Sequence, residues 1–187
     1  TKELLGFGFK KVGNNTQISK KCTFVGLKNI SIGSDVRIDN NVTIVANKGY
    51  LKLGNYIHIG SGSHLLCNGG LEIKDFCQLS QGVKIYTVSG DYSGEFLTNP
   101  VLPKKYLADK KSKVLLEKYV IIGSGSIILP GVTIGEGSGV GALSLCSKTV
   151  KEWGMYFGVP VKFLKNRKKK ILDLEKDFLK SKLSKKK

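Results

Sequence analysis

The chain has 187 residues, of which 41% are hydrophobic, enough for one domain with a substantial core and too apolar for a disordered chain. No apolar run approaches the roughly 18–20 residues needed to cross a bilayer, and the opening stretch TKELLGFGFKKVG lacks the apolar segment of a secretory signal, so a cytoplasmic protein is expected. The net charge of +17 does not mark a nucleic-acid reader: residues 162–187 hold twelve Lys/Arg against three Asp/Glu, Arg occurs only at Arg37 and Arg167, and no aromatic-interleaved platform accompanies the lysines.

In chain order, the first thirty residues show only a faint pattern, with Ile18 and Phe24 six apart as in a degenerate first coil. A clear beat follows. Ile32, Ile38 and Ile44, then Leu53, Ile59 and Leu65, then Ile73, Leu79 and Ile85 are spaced by six within each triplet. After a gap come Leu116, Ile122 and Ile128, then Ile134, Val140 and Cys146, so that fourteen of the fifteen positions are Ile, Leu or Val. Four residues later stands a small or β-branched side chain in most hexads, as at Val36, Val42, Ile57, Val83, Ser126 and Ser144. Neither a strand, with its period of two, nor a helix, at 3.6, produces this beat. Three hexads per unit predict a triangular prism: each hexad makes one short strand and one corner, and a coil closes after about eighteen residues. The coils stack as parallel strands and the marked aliphatics point inward. The expected fold is therefore all-β, a parallel β-helix of hexapeptide repeats, with Gly and Asn easing the corners.

Residues 86–115 break the beat. Pro100 and Pro103 exclude a regular central strand there, and a polar insertion this long in a regular solenoid is functional or mobile. Beyond Pro160 the register ends. Apolar residues at Leu164, Ile171, Leu174 and Phe178 predict an amphipathic helix over about 168–183 with a Lys-rich tail. This divides the chain into a β-helix domain, 1–167, and a basic helix and tail, 168–187. The helix is expected to cap the last coil, and its lysines suit an anionic membrane surface. Cys22, Cys67, Cys77 and Cys146 form no C-x-x-C pair, and the only histidines are His58 and His64. That spacing predicts buried reduced thiols and no metal site.

The stretches IIGSGSIILPGVTIGEGSGVGALS (121–144) and GVPVKFLK (158–165) resemble the left-handed parallel β-helix acyltransferases of the hexapeptide-repeat family, above all the maltose and galactoside O-acetyltransferase branch and its relatives in surface-polysaccharide synthesis. The likeness covers about residues 30–170. It implies left-handed winding, acetyl-CoA as acyl donor, a sugar or glycan acceptor, and a homotrimer whose sites lie between neighbours, each long loop covering an adjacent subunit. In the maltose and galactoside enzymes the catalytic His follows the strand that here reads VKIYTV. The matching place, near Gly90, holds no His. A polysaccharide-modifying subgroup is similar in both IHIG (57–60) and GDYSG (90–94). That similarity implies His58 as general base and Asp91 as its orienting partner or a binder of a sugar hydroxyl, with Tyr92, Asn99 and His64 at the substrate. For the donor it implies backbone contacts at Gly123, Ser124, Gly141 and Ala142, and phosphate contacts from Lys148, Lys162 and Lys165. Relatives often carry Trp where Ile121 stands, and Trp153 reads as a packing residue.

The leading expectation is acetyl transfer to a sugar hydroxyl. N-acetylation of a nucleotide-linked amino sugar stays open, because a neutral amine is the better nucleophile and needs less of a base. A hydratase on the same fold would need three His ligands, and the chain has two. A scaffold that has lost its site is the non-enzymatic alternative, fed by the missing loop His and the missing Trp.

Overall fold

The computed structural model describes residue 4 and residues 6–184. The fold is a three-sided parallel β-solenoid of about seven turns, consistent with the expected left-handed β-helix, followed by one C-terminal helix. The first face stacks six strands, from Lys11–Val12 through Ile30–Ile32, Leu51–Leu53, Leu71–Ile73 and Val114–Leu116 to Thr133–Ile134. The second runs from Gln17–Ile18 through Arg37–Ile38, His58–Ile59, Gln78–Leu79, Ile121–Ile122 and Gly139–Val140 to Gly154–Phe157. The third runs from Thr23–Val25 through Thr43–Val45, His64–Leu66, Lys84–Tyr86 and Ile127–Ile128 to Leu145–Cys146.

All fifteen residues of the six-residue beat point inward, none more than 5% exposed. The positions four residues later are buried as well, and they close the corners: Ser126 and Ser138 donate to the carbonyls of Gly141 and Lys151 at 2.8 and 2.7 Å, so these hydroxyls enter the core with partners. The solenoid ends in a strand that sequence reasoning missed. Lys162–Asn166 folds back antiparallel on Gly154–Phe157, adding an eighth strand to the second face.

The corner between the first and second faces departs in part from the expectation that Gly and Asn serve the turns. Besides Asn15, Asp35 and Gly137, its left-handed positions hold Tyr56, Phe76, Tyr119 and Trp153, at φ of 57°, 60°, 62° and 54°. A non-glycine residue in that region costs roughly 1–2 kcal/mol, and stacking offsets it here. Tyr56 lies 4.7 Å from Phe76 and Phe76 5.7 Å from Tyr119, ring centre to ring centre, while Trp153 reaches Tyr119 at 6.2 Å. Trp153 passes over Gly137, where a Cβ would meet its indole at 2.4 Å, so no larger residue fits that rung.

This aromatic ridge explains where the helix goes. Helix α1 (Ile171–Ser184) does not cap the last coil, as its sequence suggested, but turns back along the prism and covers the ridge. Ile171, Glu175, Phe178 and Lys182 share its inner side. Phe178 packs edge-on against Tyr56 and Phe76. Glu175 accepts hydrogen bonds from the Tyr119 hydroxyl and from Lys118, and Lys182 Nζ bonds Asp35 at 2.8 Å and the Tyr56 hydroxyl at 3.0 Å. Arg167 anchors the approach, donating to the carbonyls of Tyr119 and Gly137. The terminal lysines at 185–187, part of the expected basic tail, lie outside the described residues.

Candidate active site

The loop leaves the third corner after Thr87 and returns at Ser112, whose N–H donates to the Thr87 carbonyl. Its base is zipped by Val88–Ser89 against Lys110–Lys111. Asp91 lies near this base, two residues beyond Ser89, and its carboxylate accepts from the N–H and hydroxyl of Ser93 and the N–H groups of Gly94 and Phe96. These donors, Ser93 first, depress its pKa to about 2. Asp91 is thus a fixed anion at neutral pH. It lines an open cavity with Ser89, Gly90, Tyr92, Phe96 and Lys110. Tyr92 is 94% exposed, and Phe96, Leu97, Val101 and Tyr106 also face outward. Asn99 caps a local turn, its Oδ1 accepting from the Val101 N–H.

Within one chain the carboxylate that meets His58 is not Asp91. His58 projects from the second face, whereas the loop springs from the corner between the third and first faces. The carboxylate that holds His58 is Asp39, one coil earlier: His58 Nε2 to Asp39 Oδ2 is 2.8 Å, and Asp39 Oδ1 takes the Nε–H of Arg37, also at 2.8 Å. The hydrogen bond from His58, followed by that from Arg37, lowers the Asp39 pKa. An ionised carboxylate accepts only, so Nε2 carries the proton and the neutral ring's lone pair is on Nδ1. The sequence signal for this triad was Arg-x-Asp in one coil with a His one coil later, a relation visible only once the coils are stacked. His64 stands apart on the third face, its ring 6.1 Å from that of Tyr86.

The small residues gather at the second corner, between the second and third faces. Gly123 is enclosed, since a Cβ there would meet the Ala142 backbone at 2.4 Å. The N–H groups of Gly123 and Gly141 are spent on the carbonyls of Val140 and Tyr156, so the expected amide contacts to a ligand do not come from these two. Those of Ser124 and Ala142 donate to no protein acceptor among the described residues. Lys148, Lys162 and Lys165 are exposed near the same end of the solenoid, the last two on the terminal hairpin. Among the described residues no group of three or more His, Cys, Asp or Glu is placed to hold a metal ion, and no helix is long and apolar enough to cross a membrane.

A solenoid with this inward six-residue beat and a loop thrown out from one corner defines a hexapeptide-repeat protein. No family model matches the chain. It is 40% identical over 176 residues to dTDP-4-amino-4,6-dideoxy-D-glucose acyltransferase of Escherichia coli, covering 94% of this chain and 92% of that one. Among solved structures, AntD, an N-acyltransferase from Bacillus cereus in complex with dTDP and 3-hydroxybutyryl-CoA, superposes with a TM-score of 0.92 at 42% identity, over 96% of this chain and 95% of that one. Galactoside O-acetyltransferase of Lactococcus lactis is 33% identical over 109 residues, 57% of this chain and 51% of its own length. The chain belongs to the hexapeptide-repeat sugar acyltransferases.

Proposed function

We propose that the protein transfers an acyl group from a CoA thioester to the amine of a dTDP-linked amino sugar, rather than to a sugar hydroxyl. The observation that carries this reading is the near full-length likeness, at 40–42% identity, to two proteins whose names join an acyltransferase to dTDP or a dTDP-amino sugar, whereas the O-acetyltransferase likeness spans about half the chain. The chemistry agrees. The loop carries no His, and its carboxylate, Asp91, has a pKa of about 2. Such a group is a poor proton acceptor at neutral pH but a good partner for an amine or hydroxyl donor.

The second corner suits the donor. Side chains no larger than Ser stand at 123, 124, 141 and 142, and the Ser124 and Ala142 N–H groups, which bond no acceptor among the described residues, are left for the amides of an extended arm. A bound CoA thioester supplies an activated acyl carbon and a thiol leaving group. The acceptor amine attacks that carbon, the C–S bond breaks, and the nitrogen loses one proton. In this reading His58 takes it on Nδ1, while Asp39 holds the ring through Nε2. Exposed apolar side chains on the loop and the separation of Asp91 from His58 within one chain support assembly as a homotrimer, in which the loop of one copy reaches the second face of the next.

Thiol release from acetyl-CoA tests the reading. The full chain is expected to release thiol with dTDP-4-amino-4,6-dideoxyglucose and not with galactosides or maltose. Release with the free sugars and none with the nucleotide-linked amine overturns it.

A further inference from the structure

The outer surface of the second face changes character halfway along. Its outward column reads Gln17, Arg37, His58 and Gln78 on the first four rungs, then Ile121, Gly139 and Met155 on the next three. Rungs are about 4.8 Å apart, so four polar side chains line roughly 15 Å of surface before the apolar half begins. Against the polar end lies an open cavity of about 680 Å³ lined by Thr16, Gln17, Ser19, Arg37, Asp39 and Asn40.

Within this surface Arg37 is set apart by how it is held. The only other arginine, Arg167, is spent on two backbone carbonyls under the helix. Arg37 is tied down through Nε alone, by Asp39, and its side chain is 67% exposed. Its two terminal amino groups therefore face solvent as a fixed fork, the geometry that receives two oxygens of one phosphate. Asp39 is itself braced from the other side by His58. Exposed Lys20 and Lys21 follow Ser19, whose hydroxyl bonds Asn40 at 2.6 Å, and so bring further positive charge to the same edge. An oriented guanidinium, flanking lysines and a polar cavity make a receptor for a polyanion with hydrogen-bonding groups attached.

We infer that Arg37, positioned by Asp39, holds the diphosphate of the nucleotide-linked acceptor, with the nucleoside in the adjoining cavity and the sugar lying toward His58 and Gln78. This rests on the proposed acceptor class and deepens it. It sets the two substrates end to end along the prism: the nucleotide on the polar rungs, the donor arm at the small-residue corner beside the apolar rungs, and the reacting groups where the halves meet. CoA also carries a diphosphate, so the chemistry alone admits either source, and the axial division of the face favours the acceptor.

Binding without turnover tests this. The full chain is titrated calorimetrically with dTDP alone and with CoA alone, as wild type, Arg37→Gln and Arg37→Lys. Loss of a charge-assisted forked contact is expected to weaken dTDP binding at least about tenfold in Arg37→Gln. Arg37→Lys, which keeps the charge and loses the fork, is expected to fall between, and CoA affinity to stay within about twofold. Arg37 is exposed, so both variants are expected to fold, and circular dichroism checks this. A wild type that binds no dTDP defeats the acceptor class and this inference together. A wild type that binds dTDP no better than Arg37→Gln defeats the inference alone, and a loss confined to CoA assigns the fork to the donor.

Discussion

At the scale of single residues, chemistry rests on who holds whom. His58 has one free ring nitrogen because Asp39 takes the other. His58→Ala is expected to lower turnover by about 10²-fold, the lower end for a general base because an amine needs less help. Steady-state rates with the nucleotide-linked amine check it, and a change below about threefold removes His58 from the mechanism. Asp39 is held below the usual carboxylate range by His58 and Arg37, and Glu72 and Glu175 are lowered by their own partners despite some burial. Each is more acidic folded than unfolded, so each contributes stability that is fully present above the unfolded carboxyl pKa and lost as pH falls through the folded value. Melting temperature measured down from pH 7 is expected to drop below the ordinary carboxylate range, and less steeply in Asp39→Asn. Burial pushes the thiols of Cys67, Cys77 and Cys146 up to about 12. They are expected to stay silent to a thiol reagent in the native protein and to react on denaturation.

At the scale of elements, the solenoid and its helix are stabilised differently. Ile85 is fully buried in the third face, between Leu65 and Ile128. Ile85→Ala is expected to cost about 2–5 kcal/mol in denaturant unfolding. Phe178 stays 39% exposed while covering the ridge, so Phe178→Ala is expected to cost less, about 1 kcal/mol. The order of these two losses is the sharper check, because it follows from the difference between an enclosed rung and a helix laid on the outside. Sequence periodicity identified the helix but not its docking. The apolar spacing along α1 is visible locally, whereas the ridge it covers is assembled from Tyr56, Phe76, Tyr119 and Trp153, which no sequence period links.

At the scale of the whole molecule, one chain leaves its candidate site residues in three places: His58 with Asp39 on the second face, Asp91 and Tyr92 on the loop, and the small residues at the second corner. Light scattering is expected to give three times the chain mass, and a monomer that turns over substrate would refute the shared site. Val101, 84% exposed on the loop, is a suitable probe: Val101→Asp is expected to weaken assembly without unfolding the coils.

The sequence by itself determined the solenoid, because each hexad repeats the same local choice, an aliphatic inward and a small or β-branched side chain at the corner, and such repetition is readable without knowing what stacks on what. It also marked His58 and the loop, since a chain with two histidines and one break in its rhythm offers few candidates. Only the tertiary structure decided the partners. Rungs that touch are 21 residues apart at Arg37 and His58 but 43 apart at Gln81 and Ser124, where the loop intervenes. With a coil length that varies, no fixed spacing could assign Asp39 to His58 or set the aromatic corner beneath the helix. Those contacts exist because neighbouring coils must share a hydrogen-bonded register, and that register is a property of the stack rather than of any single stretch of chain.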